Sequence, residues 1–323
     1  MIRSFFFLSS IIAMTTHAAN LRGPLVFKET CDASAVVNIA DDLFAVASDE
    51  DNLLRFYRWS QRGKPVHTNN LNTLFLGKKK SPEMDIEAVT RLGQRIFWIT
   101  SHGRKANGDP APARSKLFAL EITNAQAEIT VRIVPGFYTN LITDLAREPK
   151  LAAFGLSAAA ELAPKSSGAL NIEGMTATPD GSLLIGFRNP IPKGRALIVP
   201  LLNPNEVLSS GSPRFGDAIT LDLGGLGLRG METVSSGYYL LAGPNNGGAP
   251  CKFFFWNGKG SEPQPVSGIN FSTLNPEGIC AINTGDKTEL LLLSDDGSRK
   301  FDGKECKDLP ESERQFRAFR FTP

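Results

Sequence analysis

The chain has 323 residues, with 35 Lys and Arg against 33 Asp and Glu, a formal charge of +2. Near-neutral charge excludes nucleic-acid or membrane-surface binding driven by bulk electrostatics, so any charge-based function must come from local arrangement. Hydrophobic residues make up 41% and no segment is of low complexity, which excludes a disordered chain and leaves enough residues for a large core.

Residues 1–19 read as a secretory signal peptide. Arg3 supplies the positive start, residues 5–14 the apolar run, and Ala18 and Ala19 the small residues that a signal peptidase needs. The run is shorter than the ~20 apolar residues that span a bilayer. The expectation is a periplasmic or secreted protein, with one domain over 20–323 and no membrane span. Loss of Arg3 would take the formal charge from +2 to +1.

Beyond the leader, residues 24–28 form a first strand, and then a short motif begins to recur. Its copies are Asp32-Ala33-Ser34-Ala35-Val36, Asp85-Ile86-Glu87-Ala88-Val89, Asn171-Ile172-Glu173-Gly174-Met175, Gly230-Met231-Glu232-Thr233-Val234 and Asn275-Pro276-Glu277-Gly278-Ile279. The pattern is a small polar residue, any residue, Glu, a small residue and an aliphatic. Ser34 replaces Glu in the first copy, and the fourth copy is the weakest match. Recurrence at roughly 40–50 residues or more marks a repeat fold.

Each copy is followed by the same events. The first leads to strands at 43–47, 53–59 and 73–76, with the acidic loop 48–52 between the first two. The second leads to 96–99, the long loop 101–115, then 117–120 and 129–134. The third leads to 183–187, the loop 188–195, then 196–199 and 218–221. The fourth leads to 238–241, the loop 243–250, then 252–256 and a weak strand near 265–266. The fifth leads to 290–293, the loop 294–297 and finally 316–321. These runs are rich in β-branched and aromatic residues and are bounded by Gly, Pro, Asn and Asp.

Each unit therefore reads as four strands, A to D, with the motif opening strand A. The fifth unit has three, and the strand at 24–28 completes it and closes a ring. The expected fold is an all-β propeller of five four-stranded blades, with six as the alternative because the interval from Asp85 to Asn171 is long. Residues 140–165 are rich in Ala and Leu, lack β-branched residues after Thr143 and carry Pro149, so a short helical insertion accounts for that interval. A two-sheet sandwich is the competing arrangement, and a five-fold motif with a closing strand argues against it.

Successive strands reverse direction, so the strand A starts and the B–C loops share one end of the disc. The motif brings Asp85, Glu87, Glu173, Glu232 and Glu277 around the axis as candidate metal ligands. The loops add His102, Arg104, Arg188, Asn189 and Arg195. Converging carboxylates repel one another unless protonated or bridged by a cation. Oxygen donors of this kind suit calcium, and Arg104, Arg188, Asn189 and Arg195 would bind an anionic substrate. His102 and Glu173 are the candidate catalytic residues, His102 as general base. The competing reading is structural: each Glu bonds backbone N–H groups of the next blade, and its small follower permits close packing. His67 falls in a C–D turn at the opposite end. Gly224-Gly225-Leu226-Gly227 lacks the Lys-Ser/Thr ending of a phosphate loop, and Gly-x-Ser-x-Gly is absent.

Four cysteines allow three full pairings, and an exported chain permits disulfides. Cys251 and Cys306 fall at the same end of neighbouring blades, which favours that pair. Cys280 lies within a strand A and reads as a buried thiol. A Cys31–Cys280 bond would need an offset along the strands. With no Cys-x-x-Cys, a zinc site built on that motif is not expected.

The Glu-centred copies at 85–89, 171–175 and 275–279 resemble the Asp-x-Glu-Gly motif of phytase-like propellers, bacterial proteins described as having esterase-like activity of phytase. The loops Ser48-Asp49-Glu50-Asp51-Asn52 and Leu293-Ser294-Asp295-Asp296-Gly297 resemble their acidic loops. Asn171-Ile172-Glu173-Gly174-Met175 followed by Arg188-Asn189-Pro190 is similar to an uncharacterised bacterial branch, a domain of unknown function. The resemblance covers nearly all of 20–323. It implies a propeller, calcium, and hydrolysis of an ester or phosphate ester. The expected function is a calcium-dependent hydrolase of a small anionic ester, acting as a monomer. The alternative is a non-catalytic propeller that binds a ligand or partner, with a structural Glu ring.

Overall fold

The computed structural model describes residues 21–322 apart from 78–80, 126–127, 247–249, 259 and 285–286. The signal-peptide reading of 1–19 lies outside the described residues. The fold is a β-propeller of five four-stranded antiparallel blades. Blade 1 runs Ala33–Ala40, Leu43–Ser48, Leu53–Arg58 and His67–Asn70; blade 2 runs Ile86–Leu92, Arg95–Thr100, Leu117–Ala125 and Glu128–Ile133. Blade 3 runs Asn171–Ala177, Leu183–Asn189, Ala196–Leu201 and Ile219–Leu221; blade 4 runs Gly227–Val234, Gly237–Gly243, Lys252–Trp256 and Gln264–Pro265. Blade 5 combines Pro276–Thr284, Lys287–Ser294 and Gln315–Phe321 with the N-terminal strand Arg22–Lys28 as its outermost member.

The strands are continuous apolar runs because both faces of every blade are covered. Leu43–Ser48 and Leu183–Asn189 are buried along their whole length. Apolar clusters fill all five seams between neighbouring blades, including the seam between blades 5 and 1. At that last seam Phe27, Phe44, Tyr57 and Phe316 pack ring against ring, and the Tyr57 hydroxyl donates to the Lys28 carbonyl at 2.7 Å.

The insertion between blades 2 and 3 is helical, with Leu141–Arg147, a 3₁₀ turn at Pro149–Phe154 and Leu156–Ala159. Its Leu141, Leu145, Leu151 and Leu156 join the cluster between blades 2 and 3, so its apolar face is packed down on the disc. Two expectations for blade 1 are corrected. Residues 73–76 belong to a helix, Leu71–Leu76, whose first turn is capped by the Asn70 side chain. The outer strand is His67–Asn70 instead, so His67 opens a strand and does not lie in a turn.

Each inner strand carries a register shift at the same level. The shifts fall between Ala33 and Ala35, Ile86 and Ala88, Ile172 and Gly174, Leu228 and Gly230, and Pro276 and Ile279. A β-bulge inserts a residue and re-aims its side chain. The inserted residues include Ser34, Glu87, Glu173, Arg229 and Glu277. The fourth repeat is therefore Gly227-Leu228-Arg229-Gly230-Met231, three residues earlier than the sequence pattern placed it, with Arg where Glu was expected.

The ring is latched one level further along the inner strands. Thr90 Oγ1 accepts from Ala177 N at 2.9 Å, and the hydroxyls of Thr176 and Thr233 bond at 2.8 Å. Glu232 Oε1 accepts from Ala281 N at 2.8 Å, and the Cys280 sulfur takes a backbone hydrogen bond from Asn38. Each latch joins one blade to the next. Glu232 thus has the structural role weighed for the repeated Glu, and its carboxyl is pushed up to about 7 by burial.

The disulfide is Cys31–Cys306, with Cα atoms 6.0 Å apart, and Cys251 and Cys280 are buried free thiols. The favoured Cys251–Cys306 pair is corrected. Closure of the ring sets the long loop of blade 5 against the entry to blade 1, where Asp296 N donates to the Cys31 carbonyl at 2.9 Å. Cys251 instead faces Arg229 in its own blade. Non-reducing peptide mapping should find the Cys31 and Cys306 peptides linked, with two thiols that label only after unfolding. Cys306→Ser should lower stability by about 2–4 kcal/mol, read from denaturant midpoints.

Candidate functional site

The strand A entries and the B–C loops meet at one end of the disc around a cavity of about 520 Å³. Its wall carries the carboxylates of Asp32, Asp49, Glu50, Asp85, Glu87, Glu173, Glu277 and Asp295. Its cations are Arg114, Lys165, Arg188, Arg229 and Lys307. Acid is therefore in excess. Below it the axis narrows to a passage lined by all five inner strands, including Ser34, Glu87, Glu173, Met231 and Glu277.

The close approach of the inner strands depends on glycine. A Cβ on Gly230 would lie 2.7 Å from the Glu277 carbonyl oxygen, and one on Gly174 would lie 3.0 Å from Met231 Cγ. The small residue after each bulge thus permits blade packing.

The bulge residues form two kinds of wall. On one side, Arg229 ion-pairs with Glu277, and its Nε stands 3.5 Å from Glu173 Oε2. Arg188 pairs with Glu173 Oε1, which also accepts from Asn171 Nδ2 at 2.7 Å. Glu173 and Arg229 are each only 3% exposed. On the other side, Ser34 turns its hydroxyl to the Ile86 carbonyl at 2.6 Å, and Glu87 has no side-chain hydrogen bond or ion pair among the described residues. Asp49 Oδ1 is buried without a partner.

Crowding raises the acids of this second wall. Burial pushes Glu87 well above the usual carboxylate range, and Glu173, Asp85 and Asp49 add repulsion. Asp49 is driven up by burial and by Asp295, Asp85 and Asp32. Burial, Asp295 and Glu50 push Asp32 up to about 7. Asp85 sits at positive φ and is raised to about 6 by burial, against the pull of Arg114 at 2.9 Å and a Ser101 hydroxyl bond. Among the described residues, no three His, Cys, Asp or Glu side chains are grouped so as to hold a metal ion. The carboxylates surround a space and do not converge on a point.

Several sequence candidates lie elsewhere. Arg104 reaches the helical insertion, donating to the Ala160 carbonyl at 3.0 Å and pairing with Glu161. Asn189 Nδ2 donates to the Ser166 carbonyl at 2.8 Å, holding the segment after the insertion. Arg195 binds the Thr220 carbonyl at 2.9 Å and Glu262 at the outer edge of blades 3 and 4. Glu232 lines the opposite mouth of the passage. His102 is buried beneath the insertion, and its Nδ1–H donates to the Thr100 carbonyl at 2.8 Å. Its Nε2 is sealed without a partner, and burial lowers the imidazole to about 4.

Arg229, Arg114 and Lys307 were missed in the sequence. For Arg229 a signal existed: Gly230-Met231 repeats the Gly174-Met175 that follows Glu173.

Residues 136–305, just over half of the chain, match the family described as "Protein of unknown function (DUF3616)". No curated protein matches. Solved structures with a similar fold include glutaminyl cyclase of Myxococcus xanthus, at 10% identity and TM-score 0.45, over 94% of this chain and 96% of that one. PhoX of Pseudomonas fluorescens, in complex with vanadate, matches at 11% identity and TM-score 0.38, over 84% and 57%. A gluconolactonase of Xanthomonas campestris matches at 11% identity and TM-score 0.38, over 88% and 80%.

Two measurements test the electrostatics. An acid raised in the folded state binds its proton more tightly there, so its stabilisation is present at low pH and is lost as pH rises through the folded value. With Asp32 and Asp85 raised from 3.8 to about 7 and about 6, the melting temperature should fall as pH rises from 5 to 7. Asp32→Asn should flatten that slope. Arg229→Met leaves Glu173 and Glu277 buried without their shared cation, and should cost about 3–5 kcal/mol in chemical denaturation.

Proposed function

Because the chain belongs to the family described as "Protein of unknown function (DUF3616)", we propose a function from its cavity: a cation-dependent hydrolase of a small phosphate ester or other anionic ester, with calcium as the ion. The observation that carries this reading is the crowded acidic wall, where Glu87 and Asp49 Oδ1 lack partners and neighbouring acids are raised. A bound cation would relieve that repulsion. Carboxylate oxygens fit calcium in kind, and calcium accepts water and carbonyl oxygens in flexible geometry. Fewer than three of these side chains would meet the ion from their present positions, so water or carbonyl oxygen would complete the shell.

Asp49 and Glu87 would hold the ion. When bound, calcium would polarise the ester oxygen or activate a water. Asp32, raised to about 7, is the group suited to move a proton at neutral pH. Lys165 and Lys307 at the rim would meet the anionic group of the ester. Arg188 and Arg229 would serve by holding Glu173 and Glu277 in place. The motif resemblance to phytase-like propellers agrees with this chemistry.

A second reading, non-catalytic ligand binding, is favoured by the sealed His102 and by the commitment of Arg188 and Arg229 to buried ion pairs. It would leave an occupied cavity and no reaction.

Calorimetry of calcium with chelator-stripped protein, followed by a screen of aryl phosphate and carboxylic esters, separates the two. The hydrolase reading expects calcium binding that Glu87→Gln weakens at least about tenfold. It also expects calcium-dependent turnover that Asp32→Asn lowers about a hundredfold while calcium binding persists. Binding without turnover of any ester selects the second reading. Protein that binds no calcium and cleaves no ester removes the hydrolase reading.

A further inference from the structure

A second charged feature lies at the far end of the disc, at the seam where blade 5 meets blade 1. Strand C of each blade starts beside the acidic cavity and runs away from it. Arg320 lies near the end of that strand in blade 5, and Trp59 follows it directly in blade 1. With Arg22 and Arg62 they line a cleft of about 410 Å³.

The charges in this cleft do not balance. Glu289 is the carboxylate that meets its arginines. One of its oxygens pairs with Arg22, and the other accepts from both Nε, at 2.9 Å, and Nη2 of Arg320. Burial acts to raise the Glu289 carboxyl, but the Arg22 and Arg320 guanidiniums outweigh it and hold it below its usual range, with both oxygens engaged. Arg62 has no hydrogen bond or ion pair among the described residues. Two guanidiniums thus share one carboxylate and the third has none, a surplus of two positive charges in a chain whose formal charge is +2 overall.

The wall between them is rigid. Trp59 stacks on Phe44 with centroids 3.8 Å apart and planes at 15°, and Arg320 lies over its ring at 6.0 Å. The Trp59 indole N–H is buried without an acceptor. Packing therefore fixes Arg320 against the indole while Glu289 positions its Nε. Guanidinium forks held in this way match the oxygens of a phosphate, sulfate or carboxylate.

We propose that the Arg22–Arg62–Arg320 cleft beside Trp59 is a binding site for an oxyanion group, separate from the acidic cavity. Arg62 supplies a free fork, and Arg320, whose Nε and Nη2 are held by Glu289, supplies its Nη1. The anion neutralises the surplus charge left by Glu289. The same chemistry serves a free phosphate or sulfate and a phosphate on a lipid headgroup.

The test is a titration of wild-type protein with inorganic phosphate and with sulfate at low ionic strength, beside sedimentation with phosphatidylcholine vesicles with and without phosphatidylglycerol. Arg62→Glu is the diagnostic variant, because Arg62 is exposed and makes no hydrogen bond or ion pair among the described residues. Arg132→Glu, at an exposed position on the outer strand of blade 2, serves as the control. The expected result is saturable binding that Arg62→Glu weakens at least about tenfold and Arg132→Glu leaves unchanged. Binding only to phosphatidylglycerol vesicles, again lost in Arg62→Glu, upholds the site and assigns the headgroup as its source. The site is overturned if wild-type protein binds none of these probes, or if Arg62→Glu binds them as well as wild type.

Discussion

A guanidinium buried between two carboxylates is the interaction on which the inner ring depends. Arg229 enters from blade 4, pairs with Glu277 of blade 5 and stands against Glu173 of blade 3. Removing three charges from water is expensive, and only close pairing offsets the cost. The contacts tie three consecutive blades together at the axis. They also complete the desolvation of Glu173, which Arg188 and Asn171 hold from its other oxygen. Where blades 3 to 5 meet, the inner wall is therefore electrically spent.

On the opposite arc Arg114 pairs with Asp85 and Glu83, and among the described residues no cation pairs with Glu87. Ser34 occupies the bulge of blade 1, and Glu87 in blade 2 is repelled by Glu173, Asp85 and Asp49 around the cavity. The asymmetry follows from two substitutions within a five-fold backbone. Arg for Glu neutralises one arc, and Ser for Glu leaves an opening in the other. The Cys31–Cys306 bond lies beside that opening. Asp32 and Lys307, each the next residue after a bonded cysteine, both line the cavity. The disulfide thus fixes part of the cavity wall as well as the seam of the ring.

The fold was legible because repetition survives in the residues that packing constrains most. Each blade needs a small residue after its bulge, then an aliphatic at the axis and short apolar strands covered on both faces. Those demands wrote Gly174-Met175, Gly278-Ile279 and Ala88-Val89 into the chain. The helical insertion was legible from its Ala and Leu content. The fourth repeat misled because Glu232 satisfies the same pattern three residues on. An odd shift along a strand turns a side chain to the other face. Glu232 accordingly latches blade 5 while Arg229 takes the ring position. The loops were less legible, because loop sequence records polarity and not direction. His102, Arg104 and Arg195 sit in the expected segments, yet their partners are the insertion and the outer strands. Cysteine pairing failed for a related reason. It depends on which blade the last long loop leans toward, and that is decided by contacts remote in sequence.

Arg22–Lys28 pairs with Gln315–Phe321, so the fifth sheet is built from the two ends of the described chain. During synthesis the earlier of these strands emerges long before its partner exists. Phe27 can pack early on Phe44 and Tyr57 of blade 1, but the hydrogen-bonding edge that faces Gln315–Phe321 has no partner until residue 321 has been made. The four preceding blades are each assembled from contiguous sequence and can form in order as the chain lengthens. Closure of the circle therefore comes after the other four blades, and its slow step is the search of one strand for a partner remote in sequence.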